Sequence, residues 1–100
     1  MRKITLNKFS DPAHGWIKIS LKHLNQLNLI ENITPFSYIN NKHAYLEEDL
    51  DASRLLDRLE ELNIPYSFNY YYAYGSSKIR LYDSYNINQA MKGLSCENHY

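Results

Sequence analysis

Two periods compete along this chain, and their succession outlines a fold. Ile4 and Leu6 alternate with Thr5 and Asn7, the two-residue repeat of a half-buried strand. Asp11-Pro12 ends that run, because proline lacks an amide hydrogen and restrains the residue before it. Trp16-Ile17-Lys18-Ile19 reads as the return strand. Ser20 then stands where a side-chain oxygen caps a helix with Leu21, Leu24 and Leu27 on one side, and Leu29 and Ile30 pack its exit. Phe36–Ile39 and His43–Leu46 flank Asn40-Asn41-Lys42, and asparagine tolerates the positive φ of a tight hairpin. Asp49 or Asp51 is placed to cap a second helix over roughly residues 50–62, where Leu55, Leu59 and Leu62 recur at helical spacing. Beyond Ile64-Pro65, the residues Tyr66, Phe68, Tyr70 and Tyr72 share one side of a further strand. Gly75-Ser76-Ser77 then turns the chain into Lys78–Tyr82, expected beside that strand as a third hairpin.

Each half therefore reads as a hairpin followed by a helix. Offsetting the chain against itself by about thirty residues sets Phe9 on Tyr38, His14–Ile17 on His43–Leu46, and Ser20 on Asp49. The third hairpin completes ββα-ββα-ββ. Each helix has a single apolar stripe to bury, so the expected fold is α+β, a single antiparallel sheet of about six strands with two helices on one face. Residues 1–85 form the single domain of this reading. Residues 86–100 form a polar C-terminal tail with at most a short helix around Gln89 to Lys92.

Composition narrows the functional classes. One hundred residues suffice for one core, without room for a separate cofactor-binding domain. Eleven basic side chains balance eleven acidic ones, which removes the long-range field of a general nucleic-acid binder and leaves only local patches. The single cysteine, Cys96, has no internal partner for a disulfide, which fits a reducing cytoplasm. Polar Thr5, Asn7 and Lys8 interrupt the start, so neither a signal region nor a membrane span is expected. Monomer and homodimer are both open; an exposed edge strand permits the latter.

Three stretches carry candidate chemistry. In Asp11-Pro-Ala-His-Gly-Trp16, Asp11 can bond backbone N–H groups two residues on and Gly15 permits close approach. The plain reading sets His14 at a shaped corner and Trp16 in the core; the functional one turns both toward a partner, where tryptophan is a favoured anchor. In Tyr45-Leu-Glu-Glu-Asp49 and on to Asp51, acids gather at a helix start. Their favoured role is capping plus an acidic recognition rim of Glu47, Glu48 and Asp51, ahead of a magnesium-like site. The tyrosine-rich stretch, with Tyr70 and Tyr72 beside Arg80 and Tyr82, is the best candidate binding face, for protein ahead of single-stranded nucleic acid. No P-loop, zinc ligand set or nucleophile elbow is present. No catalytic residue, metal or cofactor is assigned.

The stretches Asp11-Pro-Ala-His-Gly-Trp16 and Tyr45-Leu-Glu-Glu-Asp49, with Ser37-Tyr38 between them, resemble a group of short proteins of phages, prophages and other mobile elements. That group carries an Asp-x-Gly-His-Gly-Trp turn and a Tyr-Leu-Glu-Glu-Asp element before a helix. Ala13 stands here in place of the first glycine. The resemblance implies a phage-related accessory protein, without enzymatic activity, that binds and inhibits or modulates a protein complex in the bacterial host cytoplasm. A defence nuclease such as a CRISPR effector is the expected partner, met by His14, Trp16, the acids and the tyrosine face. Two alternatives stand beside it: a single-strand nucleic-acid module, and a small metal-dependent hydrolase or nuclease using His14, Asp11 and the acids at Glu47 to Asp51.

Overall fold

The computed structural model describes residues 3–97, with the end of the expected tail (98–100), the first two residues and the side chains of Cys96 and Glu97 outside the described residues. Strands β1 (Ile4–Ser10) and β2 (Gly15–Ser20) form the first hairpin, with Phe9 opposite Trp16. Ser20 Oγ accepts the His23 N–H at 3.1 Å and opens helix α1 (Leu21–Gln26), as its sequence position implied. Six residues are too few for a helix to hold alone. Leu21 and Leu24, both fully buried, hold it instead; each contributes about 1.5–3 kcal/mol of burial, against about 1 kcal/mol for the cap.

After a 3-10 turn at Ile30–Asn32, strands β3 (Tyr38–Asn40) and β4 (His43–Glu47) form the second hairpin around Asn41, whose φ is 55°. Helix α2 (Asp51–Glu61) follows. The left-handed positions that end α1 and α2 are also asparagines, Asn28 and Asn63. A chain with three glycines thus uses the residue that tolerates αL best after glycine.

The sheet order is β5-β1-β2-β4-β3-β6, six strands and mostly antiparallel, with the helices packed on one face. Strand β5 (Tyr66–Tyr72) runs parallel to β1, from Tyr66 beside Ile4 to Tyr72 beside Ser10. Strand β6 is only Asp83–Ser84, paired with β3 at the opposite edge. The third hairpin is therefore not formed. The α2 crossover returns the chain in the direction of β1, and residues 73–82 then have to traverse the sheet to reach β6. The expected strand Lys78–Tyr82 is instead a 3-10 turn at Lys78–Leu81 that presses Ile79 against Trp16 and Tyr45. A third helix, α3 (Ile87–Glu97), is longer than the short one expected there and buries Ala90 in the core.

The register assigns the two faces. Ile4, Leu6, Ile17, Ile19, Ile39, Ala44 and Leu46 point at the helices and form the main core with Leu24, Leu55 and Leu59. Phe9, Trp16, Tyr38 and Tyr45 point the other way and pack against Ile79 and Tyr82 of the crossing segment, here termed the strap. The Tyr45 phenol is pushed up to about 12, by burial first and by Tyr82 second, and so stays protonated at neutral pH.

Asp51 is fully buried at the start of α2. Its carboxylate accepts from the Thr34 N–H at 3.0 Å, the Thr34 hydroxyl at 2.7 Å and the Ser37 hydroxyl at 2.6 Å. Ser37 Oγ in turn accepts from the Glu47 N–H at 3.0 Å. Neither Asp49 nor Asp51 caps α2. Glu47 does, accepting from the N–H groups of Asp49, Leu50 and Asp51 at 3.0, 2.6 and 2.9 Å. The end of β4 aims Glu47 at these amides, while Asp51 turns inward to stitch the loop before β3 to the helix. Asp51→Ala leaves those donors without an acceptor, at a cost on the order of 3 kcal/mol. Urea unfolding at pH 7 checks this; a loss under about 1 kcal/mol, the size of an ordinary surface change, contradicts it.

Candidate functional site

The turn from β1 to β2 is built around one carboxylate. Asp11, with a side chain 1% exposed, accepts at Oδ1 from the backbone N–H groups of Ala13 and His14 at 3.0 and 2.9 Å. These are the local bonds its place before proline implied. Two further partners come from the strap. Arg80 grips both oxygens, Nε to Oδ2 at 2.8 Å and Nη2 to Oδ1 at 3.0 Å, and the Ser77 N–H meets Oδ2 at 3.0 Å. The Arg80 guanidinium also lies 5.6 Å from the Trp16 ring centroid, within the range of a cation–π contact. Planar, two-pronged pairing is the geometry arginine has and lysine lacks.

The Arg80 guanidinium first, then the Ser77 N–H, hold the Asp11 carboxyl well below the usual carboxylate range, and Arg80 is raised in turn. A carboxyl depressed on folding stabilises the fold above its unfolded value near 4, and that stabilisation declines as pH falls below it.

Above this pair opens a groove of about 440 Å³. Trp16 and Tyr38 line it from the sheet, Arg80 and His14 from the turn and strap, and Glu47 to Leu50 from the chain entering α2. Strand register brings these together, since Trp16 pairs with Glu47 and the Glu48 N–H bonds the Gly15 carbonyl at 3.1 Å. Gly15 admits the Glu48 carboxylate: a Cβ there stands 2.6 Å from Glu48 Oε2. Phe36, 76% exposed, and Leu50, 41% exposed, also line the groove. A larger hollow of about 540 Å³ runs along α2, but Arg58 pairs with Glu61 at 2.9 Å and Arg54 with Asp51 and the Asn32 carbonyl. Both of its arginines are thus already engaged.

The structure sorts the residues singled out from sequence. His14 and Glu48 are exposed and Arg80 is half-buried, and all three meet at the groove. Trp16, 2% exposed, is a floor and core residue, because strap and sheet enclose its ring. It offers no free anchor for a partner. Asp51 is likewise interior and Glu47 is committed to α2, so the acidic rim reduces to Glu48 and Asp49. Tyr70 and Tyr72 are exposed, but on the helix-bearing side of β5, whereas Arg80 and Tyr82 lie under the opposite face. The composite face of Tyr70, Tyr72, Arg80 and Tyr82 is therefore not assembled. Phe36 is not singled out by the sequence pattern, which places it within the strand that the structure begins only at Tyr38. The Thr34-Pro35 turn, closed by Ser37 N–H to the Thr34 carbonyl at 3.2 Å, is the signal that puts it outside the strand.

For acid–base chemistry the geometry is poor. Asp11 bonds the backbone of His14 and spends its acceptors on Arg80 and Ser77, so it does not orient the imidazole. Among the described residues no cluster of three or more His, Cys, Asp or Glu is placed to hold a metal ion. None of the described helices is long and apolar enough to cross a membrane. Comparison with family models, curated proteins and solved structures gives no match to this chain.

Asp11→Asn removes the charge and one strong pairing. The stability gap between wild type and this variant is expected to be widest near neutral pH and to narrow at pH 3, measured by urea unfolding at both values. A gap that stays constant, or widens in acid, contradicts the assignment.

Proposed function

We propose that this protein acts by binding another protein, without catalysis, and that the groove between Phe36, Leu50, His14 and Glu48 is where the partner docks. The observation that carries this reading is the pair of exposed apolar side chains, Phe36 and Leu50, lining a groove floored by a fixed Trp16–Arg80–Asp11 stack. An apolar site with a rigid floor and a polar rim is the anatomy of an interface anchor. Asp11 already neutralises Arg80, so the acids left free, Glu48 and Asp49, set the sign of the rim. The matching partner segment presents an apolar side chain flanked by lysine or arginine.

The resemblance of the Asp11–Trp16 and Tyr45–Asp49 stretches to phage and mobile-element proteins extends the proposal. The partner is a host protein complex whose working surface the small protein obstructs, and a defence nuclease such as a CRISPR effector has the basic surfaces the rim requires. The single-strand-binding alternative draws no support from the geometry, because Tyr70 and Tyr72 lie on the face opposite Arg80 and Tyr82. The hydrolase alternative lacks both an oriented imidazole and a convergent set of acids.

Affinity capture from bacterial host lysate, with wild type beside a Phe36→Ala/Leu50→Ala variant, tests the reading. The same host polypeptide should be recovered with wild type and weakened at least tenfold by the double substitution, since loss of an interface anchor costs about 2 kcal/mol or more. Glu48→Lys should weaken it too. Recovery of RNA alone, or of a polypeptide indifferent to all three changes, overturns the proposal.

A further inference from the structure

The two edges of the sheet are treated differently. At one edge β6 is two residues long and leads directly into α3, a short edge of the kind that offers no template. At the other, β5 runs for seven residues, Tyr66-Ser-Phe-Asn-Tyr-Tyr-Tyr72. Its ladder with β1 is uninterrupted, one residue for one from end to end. It contains no proline, no charge and no bulge, the devices that normally blunt an edge. No strand among the described residues pairs with its outer side.

The backbone direction can be read from the flanking bonds. The Pro65 carbonyl accepts from Ile4 and the Ala73 N–H donates to Ser10, so odd-numbered residues of β5 turn their backbone groups toward β1. Alternation then turns the N–H and C=O groups of Tyr66, Phe68, Tyr70 and Tyr72 outward. The same four side chains form a row on the helix-bearing side, with Tyr66–Phe68 and Phe68–Tyr70 ring centroids 5.6 and 5.8 Å apart. Tyr70 is 73% and Tyr72 54% exposed.

We propose that two copies of this chain pair antiparallel along β5, about a twofold axis at Asn69, to form one continuous sheet. The segment is complementary to itself in that register. Tyr66 faces the copy's Tyr72 and Phe68 faces the copy's Tyr70, so each outward-directed backbone group meets another and each contact in the row is aromatic on aromatic. Ser67 faces Tyr71, and Asn69 faces its own copy. No like charges are opposed, and a chain with zero formal net charge has no long-range repulsion to overcome. A basic or acidic partner strand finds no complementary charge on this edge; a second copy needs none. The docking groove is remote from β5 in the sheet order, so this assembly stands or falls independently of the groove.

Sedimentation and crosslinking test it on the full chain, with Cys96→Ser removing the native thiol. Asn69 occupies a non-hydrogen-bonded position on the axis, where facing Cα atoms approach to about 4.5 Å, inside the range a disulfide spans. Asn69→Cys should give a linked dimer under mild oxidation. Ser67→Cys should not, because its own counterpart is displaced by four residues, about 13 Å along the strand. Wild type should sediment as a dimer at about 100 μM or below, an affinity in the ordinary range for a modest interface, and Asn69→Lys, which sets two ammonium groups face to face, as a monomer. A monomeric wild type overturns the proposal; so does a dimer that Asn69→Lys leaves intact or that links equally through either cysteine.

Discussion

One ion pair, between a buried carboxylate and a half-buried guanidinium, pins how this chain closes. Asp11 and Arg80 are separated by most of the sequence, yet their two-point contact pins the 3-10 turn Lys78–Leu81 under the sheet. Without it, a carboxylate with 1% of its side chain exposed keeps backbone N–H donors but no counter-charge. Leaving a charge so placed is strongly unfavourable, more so than the pair itself is favourable. The pair therefore acts mainly as a register pin. It sets where Ile79 inserts between Trp16 and Tyr45, and it fixes the orientation of the indole that floors the groove. The second hydrophobic cluster and the candidate docking site both follow from that placement.

Asp51 performs the corresponding task on the other face. It gathers the backbone and hydroxyl of Thr34 and the hydroxyl of Ser37, leaving Glu47 to supply the cap that Asp51 does not. Two carboxylates that look alike in sequence, each beside a turn, thus do structural work in the interior. Of the acids around the groove, Glu48 and Asp49 are the ones that remain exposed. Burial, rather than charge count, separates scaffold from surface in this protein.

The local patterns were legible because they depend on nearest neighbours. Alternation identified β1, β2, β4 and β5, the Ser20 cap and the leucine spacing located α1 and α2, and Asn40-Asn41 marked the hairpin. What was illegible depends on contacts distant in sequence. Tyr66–Tyr72 alternates identically whether it pairs with the following segment or in parallel with β1, and nothing in Lys78–Tyr82 announces that Arg80 has a partner at position 11. The residues that line the candidate groove were legible to the same extent. His14 and the acids near Glu48 were found from the turn and the helix start, but the burial of Trp16 and Asp51, and the exposure of Phe36, follow from packing that no spacing encodes.

Amide hydrogen exchange measures the central claim most directly, because it reports whether the strap is held where Asp11 holds it. In the wild type the Ser77 amide, bonded to Asp11 Oδ2, should exchange far more slowly than an exposed loop amide. In Asp11→Ala, Ser77 and Ile79 should fall to loop-like rates while Ile17 and Leu46 in the central strands stay protected. Fast exchange of Ser77 in the wild type, or protection that survives the substitution, contradicts the account.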